Sequence, residues 1–388
     1  MNVIDIETLY NPPIYPKRPI VLIKGKGSLV WDKDGKEYID CVGGNGVCLI
    51  GHSHPRLLET IRTQAEQLII CPQTFYNGTR AILLEKLANV LPKPLEKTFL
   101  SNSGAESVEC AIKLARKYTG KKEIIAMQQA FHGRTLGALS ATWNPKYRDP
   151  FLPLVPGFSH VPFGDLESVK QAITDDTAAI ITEVVQGEGG VIPAPEGFIA
   201  GLRELCTAKN ILLIIDEVQT GLGRTGEFLA SQHSKVVPDI LCLAKGLAGG
   251  IPIGATVSSS AIFGSMTVGE HYTTFGGSPL VCAAAIASLD IIHEEKLVPN
   301  SKKLGKYFKD RLLQEFEDLR LVKEIRGLGL MIAIELRLKQ KDFILKAGEK
   351  GLLLLTSGTT TIRLLPPLNI TQAQIDKAVT ILKETFKT

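Results

Sequence analysis

Three short stretches combine residue types that could do chemistry together. In "LLIIDEVQTGLGRTG", four aliphatic residues, Leu212 to Ile215, end abruptly at Asp216 and Glu217. The C-terminal end of a buried strand is where α/β sheets bind ligands. Taken alone, Asp216 would read as well as a helix cap or an ion-pair partner. In "PDILCLAKGLAGGIPIGA", the apolar run Ile240 to Ala244 leads straight into Lys245, with glycines at 246, 249 and 250. Partial desolvation lowers a lysine's pKa and frees its amine as a nucleophile, which suits a Schiff base. The plainer alternative is a strand-end lysine snorkelling to water. In "SNSGAESVECAIKLARK", Ser103, Gly104 and Ala105 open a helix whose free amides and dipole favour an anion such as phosphate. Ser103 also reads as a helix cap with Glu106 completing a capping box, and the two readings are compatible.

A phosphate cradle, a Schiff-base lysine and a strand-end carboxylate together describe a site for pyridoxal 5'-phosphate (PLP). The lysine holds the aldehyde, and the aspartate keeps the ring nitrogen protonated so that the ring accepts electrons. The glycines of "GLGRTG" satisfy the letter of a dinucleotide fingerprint, but five residues, Asp216 to Thr220, separate them from the strand. No good helix follows before Pro238, so the pattern reads as a flexible turn.

The elements that must position these residues alternate. "PRLLETIRTQAEQL" and "RAILLEKLANVL" are amphipathic helices, and "AESVECAIKLARKYTG" is a helix closed by Gly120. "KTFLSNS", "EIIAM", "AAIITE", "ILLIID" and "DILCLA" are short apolar strands. The expected fold class is α/β, a mostly parallel central sheet with helices on both faces. Residues 1–50 read as a β-rich N-terminal segment, with a hairpin around Asp34-Gly35. Residues 51–280 read as the large domain. Residues 281–388 read as a smaller α+β domain of helix, strand, strand and helix that packs with the N-terminal strands.

Composition excludes several classes. Over 388 residues, 44% are apolar and 22% charged, as in a globular protein. The net charge of +4 is scattered, without a nucleic-acid stripe. The first residues, MNVIDIETLY, lack the apolar core of a signal peptide, and runs such as Ile211 to Ile215 are too short to span a membrane. Seven cysteines without a CxxC pair imply buried thiols and a cytoplasmic location. His52 and His54 have no acidic residue beside them in the sequence, so they read as a structural turn rather than a metal site.

Seven ordered motifs carry a resemblance: "SNSGAESVECAIKLAR", "FHGRTLGALS", "EVVQGEGGV", "DEVQTGLGRTG", "LAKGLAGGIPIGA", "TTFGGSPLVCAAA" and "IRLLPPL". Over almost its whole length the chain closely resembles the class III (ω-amino acid) aminotransferases of PLP fold type I. Within them it is most similar to the acetylornithine and acetyl-lysine types. The resemblance implies that Lys245 binds the cofactor and later moves the proton, and that Asp216 pairs with the ring nitrogen. It implies that Val218 and Phe131 cover the two ring faces, that Gln219 reaches the phenolic oxygen, and that Ser103, Gly104 and Ala105 hold the phosphate. Thr274 resembles a threonine that reaches the phosphate of a partner subunit, which implies a homodimer with shared sites. Arg363 would hold the α-carboxylate of glutamate or 2-oxoglutarate. Arg134 would take the second carboxylate, or the α-carboxylate of the ω-amino donor. Glu188 would pair with Arg363 whenever the donor places no carboxylate there.

Asn45, in "CVGGNGVCLIGHSHP", stands where ornithine aminotransferases of this family carry a tyrosine that engages a free α-amino acid end. That implies a donor whose α-amine is blocked. The expected reaction moves the terminal amine of an N-blocked ornithine or lysine to 2-oxoglutarate, in arginine or lysine biosynthesis. The blocking group is an acetyl or a small acidic amino-group carrier protein. The rivals are 4-aminobutyrate and ornithine aminotransferase, a nicotinamide dehydrogenase resting on GLGRTG, and a binding protein without catalysis.

Overall fold

In a computed structural model describing residues 2–387, seven strands form the central sheet. Their spatial order is Lys97–Ser101, Gly254–Ser258, Ile240–Leu243, Leu212–Asp216, Thr177–Thr182, Glu123–Met127 and Phe158–Val161. Gly254–Ser258 runs antiparallel to both its neighbours, and the other pairings are parallel. The six remaining strands therefore end on one edge, and the loops after Ser101, Met127, Thr182, Asp216 and Leu243 gather there.

Successive side chains of a strand point to opposite faces. Ile214 accordingly packs with Val108, Ala111 and Leu114 of helix Gly104–Thr119 on one face. Leu213 and Ile215 pack with Phe198 and Leu202 of helix Phe198–Lys209 on the other. Every residue of Leu212–Asp216 is buried, which is why its sequence shows no polar alternation.

A second, antiparallel sheet holds Val322–Leu328, Met331–Leu336, Thr361–Leu364 and Leu355–Ser357, in that order. Helices Leu297–Phe316, Lys341–Glu349 and Gln372–Phe386 accompany it. The sequence reading expected two strands between two helices. Val322–Leu328 escaped it because this edge strand is polar and irregularly buried. The N-terminal strands join this part of the chain, since Leu352–Leu353 pairs in parallel with Ile39 and Asp40. Helix Pro279–Glu294 bridges the two parts, packing on helices Pro55–Gln67 and Gly78–Val90 before leading into Leu297–Phe316.

Several local details differ from expectation. A helix, Val3–Tyr10, precedes the N-terminal strands, fixed by a capping box between Asn2 and Asp5. None of its residues is buried, and Val3, Ile4, Leu9 and Tyr10 lie exposed. GLGRTG is a turn, yet not a flexible one, because Gly221 to Gly226 are all buried. Arg224 is fully enclosed and donates from Nη1 to Leu330 O at 2.9 Å and Pro366 O at 2.6 Å. His52 and His54 do have acidic partners, brought in from elsewhere in the chain. Asp40 lies 2.6 Å from His52 and Glu295 lies 2.8 Å from His54. All seven cysteines are free; five are buried, while Cys48 and Cys71 are half-buried. Among the described residues no helix is long and apolar enough to cross a membrane.

Helix Leu297–Phe316 approaches the turn before Met331 through Gly305. A Cβ there would meet the carbonyl carbon and oxygen of Gly329 at 2.2 Å. Gly305→Ala is therefore expected to destabilise the fold by about 1–3 kcal/mol. Gly78→Ala, at a helix start with nothing within 4 Å, is expected to be neutral or stabilising by up to about 1 kcal/mol. Denaturant unfolding of the two variants side by side checks both.

Candidate active site

The loops at the sheet edge enclose a cavity of about 470 Å³, a size suited to a small cofactor with its substrate. Ser103, Gly104, Ala105, Phe131, Arg134, Glu188, Asp216, Val218, Gln219 and Lys245 all line it. Arg363 stands directly behind, 3% exposed.

Lys245 follows strand Ile240–Leu243 in a left-handed conformation, φ 47°. That is a costly placement for a non-glycine residue, of the kind that collects at functional sites. Burial, helped by the nearby charge of Arg363, lowers its pKa to about 8, against the pull of Glu188, Asp216 and Glu183. Roughly a tenth of such a lysine is the neutral nucleophile at pH 7, far more than for a lysine at its ordinary pKa.

Asp216 ends the central strand, 4% exposed. Its Oδ1 accepts the Val218 amide at 3.0 Å, and its Oδ2 lies 2.7 Å from His132 Nδ1. Burial alone would lower the His132 pKa, but the hydrogen bond and charge of Asp216 reverse the direction and raise it. His132 stands in "FHGRTLGALS" without a local pattern that assigns it a role. Its signal was its place two residues after Ala130, in a loop leaving a buried strand. Glu217, the second carboxylate of the pair, has a structural task. Its oxygens accept the Ala230 and Ser231 amides and the Thr220 hydroxyl, and burial raises its pKa.

Glu183, just beyond strand Thr177–Thr182, accepts the amides of Phe131 at 3.2 Å and Gly187 at 3.1 Å. It thereby ties two cavity loops together. Burial is the main cause pushing its pKa up to about 7.

Helix Gly104–Thr119 points its N-terminus into the cavity. The first-turn amides of a helix have no acceptor within it. Ser103 Oγ accepts the Glu106 amide at 3.2 Å, as expected of a cap. The capping box does not close, because Glu106 turns instead to the Asn102 amide at 2.6 Å and to Asn102 Nδ2 at 2.9 Å. Glycines keep the space clear: a Cβ on Gly104 would meet Val218 Cγ1 at 2.8 Å, and one on Gly133 would meet Ala105 Cβ at 2.9 Å. The arrangement fits PLP. An amide-rich helix start faces the same cavity as a desolvated lysine and a buried, hydrogen-bonded carboxylate.

Two cations flank this centre in different states. Arg363 Nη1 lies 2.6 Å from Glu188 Oε1 and 3.3 Å from Gln219 Oε1. Arg134 is exposed, stacked 3.6 Å from the Tyr147 ring centroid, with no carboxylate partner among the described residues.

Two expected site residues lie outside the cavity. Asn45 is exposed in a left-handed turn with Gly44, and the residue that reaches the wall is Val47. Thr274 is exposed in a surface loop beside Tyr272 and Phe275.

Known proteins agree with this geometry. Residues 11–386 match the family profile described as aminotransferase class III. The acetylornithine aminotransferase of Methanopyrus kandleri is 47% identical, over 100% of this chain and 99% of its own. A Pyrococcus furiosus protein named as a LysW-aminoadipate semialdehyde/glutamate semialdehyde transaminase is 45% identical, over 94% and 95%. The solved ornithine aminotransferase of Toxoplasma gondii, described with partial occupancy of PLP at its active site, superposes with a TM-score of 0.95. It is 35% identical, with 99% of this chain and 93% of that one covered. With its α/β fold, its cavity and these relatives in agreement, the chain belongs to the class III aminotransferases of PLP fold type I, transaminases whose cofactor is pyridoxal 5'-phosphate.

Proposed function

We propose that this transaminase moves the terminal amino group between an N-blocked ornithine or lysine and 2-oxoglutarate, giving the semialdehyde and glutamate. The observation that carries the reading is the contrast between Arg363, masked by Glu188 at 2.6 Å, and the unpaired Arg134. A guanidinium is a strong bidentate partner for a carboxylate. Arg134 alone receives the α-carboxylate of an ω-amino donor while Glu188 neutralises Arg363. Glutamate, with two carboxylates, displaces Glu188 and engages both arginines. Val47 on the cavity wall offers no acceptor to a free α-ammonium, which supports a blocked donor. The acetyl-blocked donor is favoured by the acetylornithine relatives. The LysW-named relative supports a small acidic carrier protein in its place.

The cofactor supplies an aldehyde that takes up the amine and a ring that accepts the electron pair. Around it, Ser103 and the first-turn amides of Gly104 and Ala105 hold the phosphate. Asp216 would hold a proton at the ring nitrogen, Gln219 would face the phenolic oxygen, and Phe131 and Val218 would cover the ring. Lys245 Nζ would hold the cofactor and then carry the proton from the donor's reacting carbon.

Thr274 completes the phosphate site of a second copy, so the working form is a homodimer. Two observations support this. Leu68, Ile69, Ile70, Phe75 and Tyr76 lie exposed, as do Tyr272 and Phe275. Backbone and side-chain bonds from Leu280 to Ile69 and from Gln73 to Gly276 hold the two stretches together. The enzyme serves arginine or lysine biosynthesis in the cytoplasm.

Single half-reactions followed in the visible spectrum test the donor. N-acetylornithine or N-acetyllysine, and glutamate, are expected to bleach the cofactor band, whereas free ornithine and 4-aminobutyrate are at least about tenfold slower. Faster bleaching by a free donor would refute the blocked-donor reading. A second test concerns Lys245. Its amine must be neutral to capture PLP, and its lowered pKa of about 8 sets where that occurs. Capture by the cofactor-free enzyme is expected to speed up with pH and level off above about 8. A rate still climbing at pH 10 would refute the desolvated lysine.

A further inference from the structure

The loop carrying Glu188 belongs by sequence to the central sheet, which it leaves at Thr182. It is fastened to the other sheet. Ser357 Oγ lies 2.8 Å from Glu188 O and 3.1 Å from Gly187 O. Its single proton serves one carbonyl at a time, and the shorter contact is to Glu188 itself. Arg326 donates to Gly190 O from Nε at 3.0 Å and from Nη2 at 2.7 Å, and to Val191 O from Nε at 3.2 Å. Arg326 is held in turn by Glu335 at 2.9 Å, and Glu335 also accepts from Thr360 at 2.7 Å and from Thr361. Thr361 and Arg363 share one strand, whose neighbours carry Ser357 and Glu335. The masking carboxylate and the arginine it masks are thus mounted on the same sheet.

The loop needs this support. Val191 is β-branched and lies at φ 53°, a conformation that persists only where its surroundings impose it. Behind the loop is a polar cleft of about 810 Å³ lined by Arg326, Glu335, Ser357 and Thr361. On that side directed hydrogen bonds add to the packing of Val185 and Val191 against Met331, Ala333 and Leu365. Ser357 is 2% exposed, so losing its hydroxyl strands a buried carbonyl of the loop.

We propose that Ser357 and Arg326 are positioning residues that set how firmly Glu188 masks Arg363, and hence the enzyme's preference between its two amino donors. The inference rests on the Glu188–Arg363 switch of the proposed function. When the loop is loosened, Glu188 leaves Arg363 more readily. Glutamate then meets an uncovered guanidinium, while the ω-amino donor meets an unneutralised charge.

The test is a set of single half-reactions with N-acetylornithine and with glutamate on the PLP-loaded enzyme. The variants are Ser357→Ala, Ser357→Thr, Arg326→Gln and Glu188→Ala, and the first and third are also combined with Glu188→Ala. Retained cofactor absorbance reports folding. Ser357→Ala and Arg326→Gln are each expected to raise the glutamate-over-N-acetylornithine specificity ratio about threefold or more. The change falls on the half-saturating concentrations rather than on the limiting rates. Ser357→Thr, which keeps the hydroxyl, restores the ratio. In the Glu188→Ala background the other substitutions leave the ratio where Glu188→Ala alone puts it. Equal losses in both half-reactions, or the full shift persisting without Glu188, would overturn the proposal. A ratio moved by Glu188→Ala but by neither anchor variant overturns it alone. A ratio that Glu188→Ala does not move overturns the switch reading, and this proposal with it.

Discussion

A carboxylate at the end of a fully buried strand is costly to keep charged unless it is paired or hydrogen-bonded. At Asp216 the chain meets that cost with His132 on one oxygen, at 2.7 Å, and the Val218 amide on the other, at 3.0 Å. Both donors come from loops at the sheet edge, so the pairing also fixes those loops. The next residue after His132 is Gly133, which leaves room for Ala105 at the helix start. The residue before it is Phe131, whose amide goes to Glu183. The anion cradle, the aromatic wall and the strand-end carboxylate are in this way connected through one short segment, residues 131–133.

The second constraint is charge balance across two sheets. Lys245, Arg363, Asp216, Glu183 and Glu188 act on one another within a largely enclosed space. The cationic Arg363 is supplied by the smaller sheet, and most of the carboxylates by the larger one. Arg224 fixes the approach of the two, because its guanidinium joins the turn after Gln219 to the carbonyls of Leu330 and Pro366. The glycines of GLGRTG let that turn pack closely. Gly223 and Gly226 adopt φ values of 94° and 92° against helix Leu297–Phe316, where Val298 and Lys302 leave no room for a Cβ. A pattern that resembles a nucleotide fingerprint on paper is therefore a seam between the central sheet's loops and helix Leu297–Phe316.

What could be read in advance follows a physical divide. That Lys245, Asp216 and Ser103–Ala105 meet in one cavity was legible because each follows from a local pattern, an apolar strand leading to a functional group. The parallel sheet was legible for the same reason. Features set by contacts distant in sequence were not. The partners of His52 and His54, the bonds from Ala230 and Ser231 to Glu217 and the bond from His132 to Asp216 all join residues from 12 to 241 positions apart. Glu106 was read one residue out, since a cap and the residue before it compete for the same carboxylate. The resemblance sets Asn45 against the donor, whereas the left-handed turn through Gly44 and Asn45 puts Val47 on the cavity wall. Helix Val3–Tyr10 was missed because none of its residues is buried, so its apolar residues mark no core-facing stripe.

The central claim is that the buried Asp216, oriented by His132, holds a proton on the cofactor ring. The direct measurement is the nitrogen-15 resonance of ring-labelled PLP bound to the wild-type enzyme and to Asp216→Asn. The account predicts a pyridinium signal in the wild type that moves to the unprotonated position in the variant. The same resonance in both proteins would contradict it.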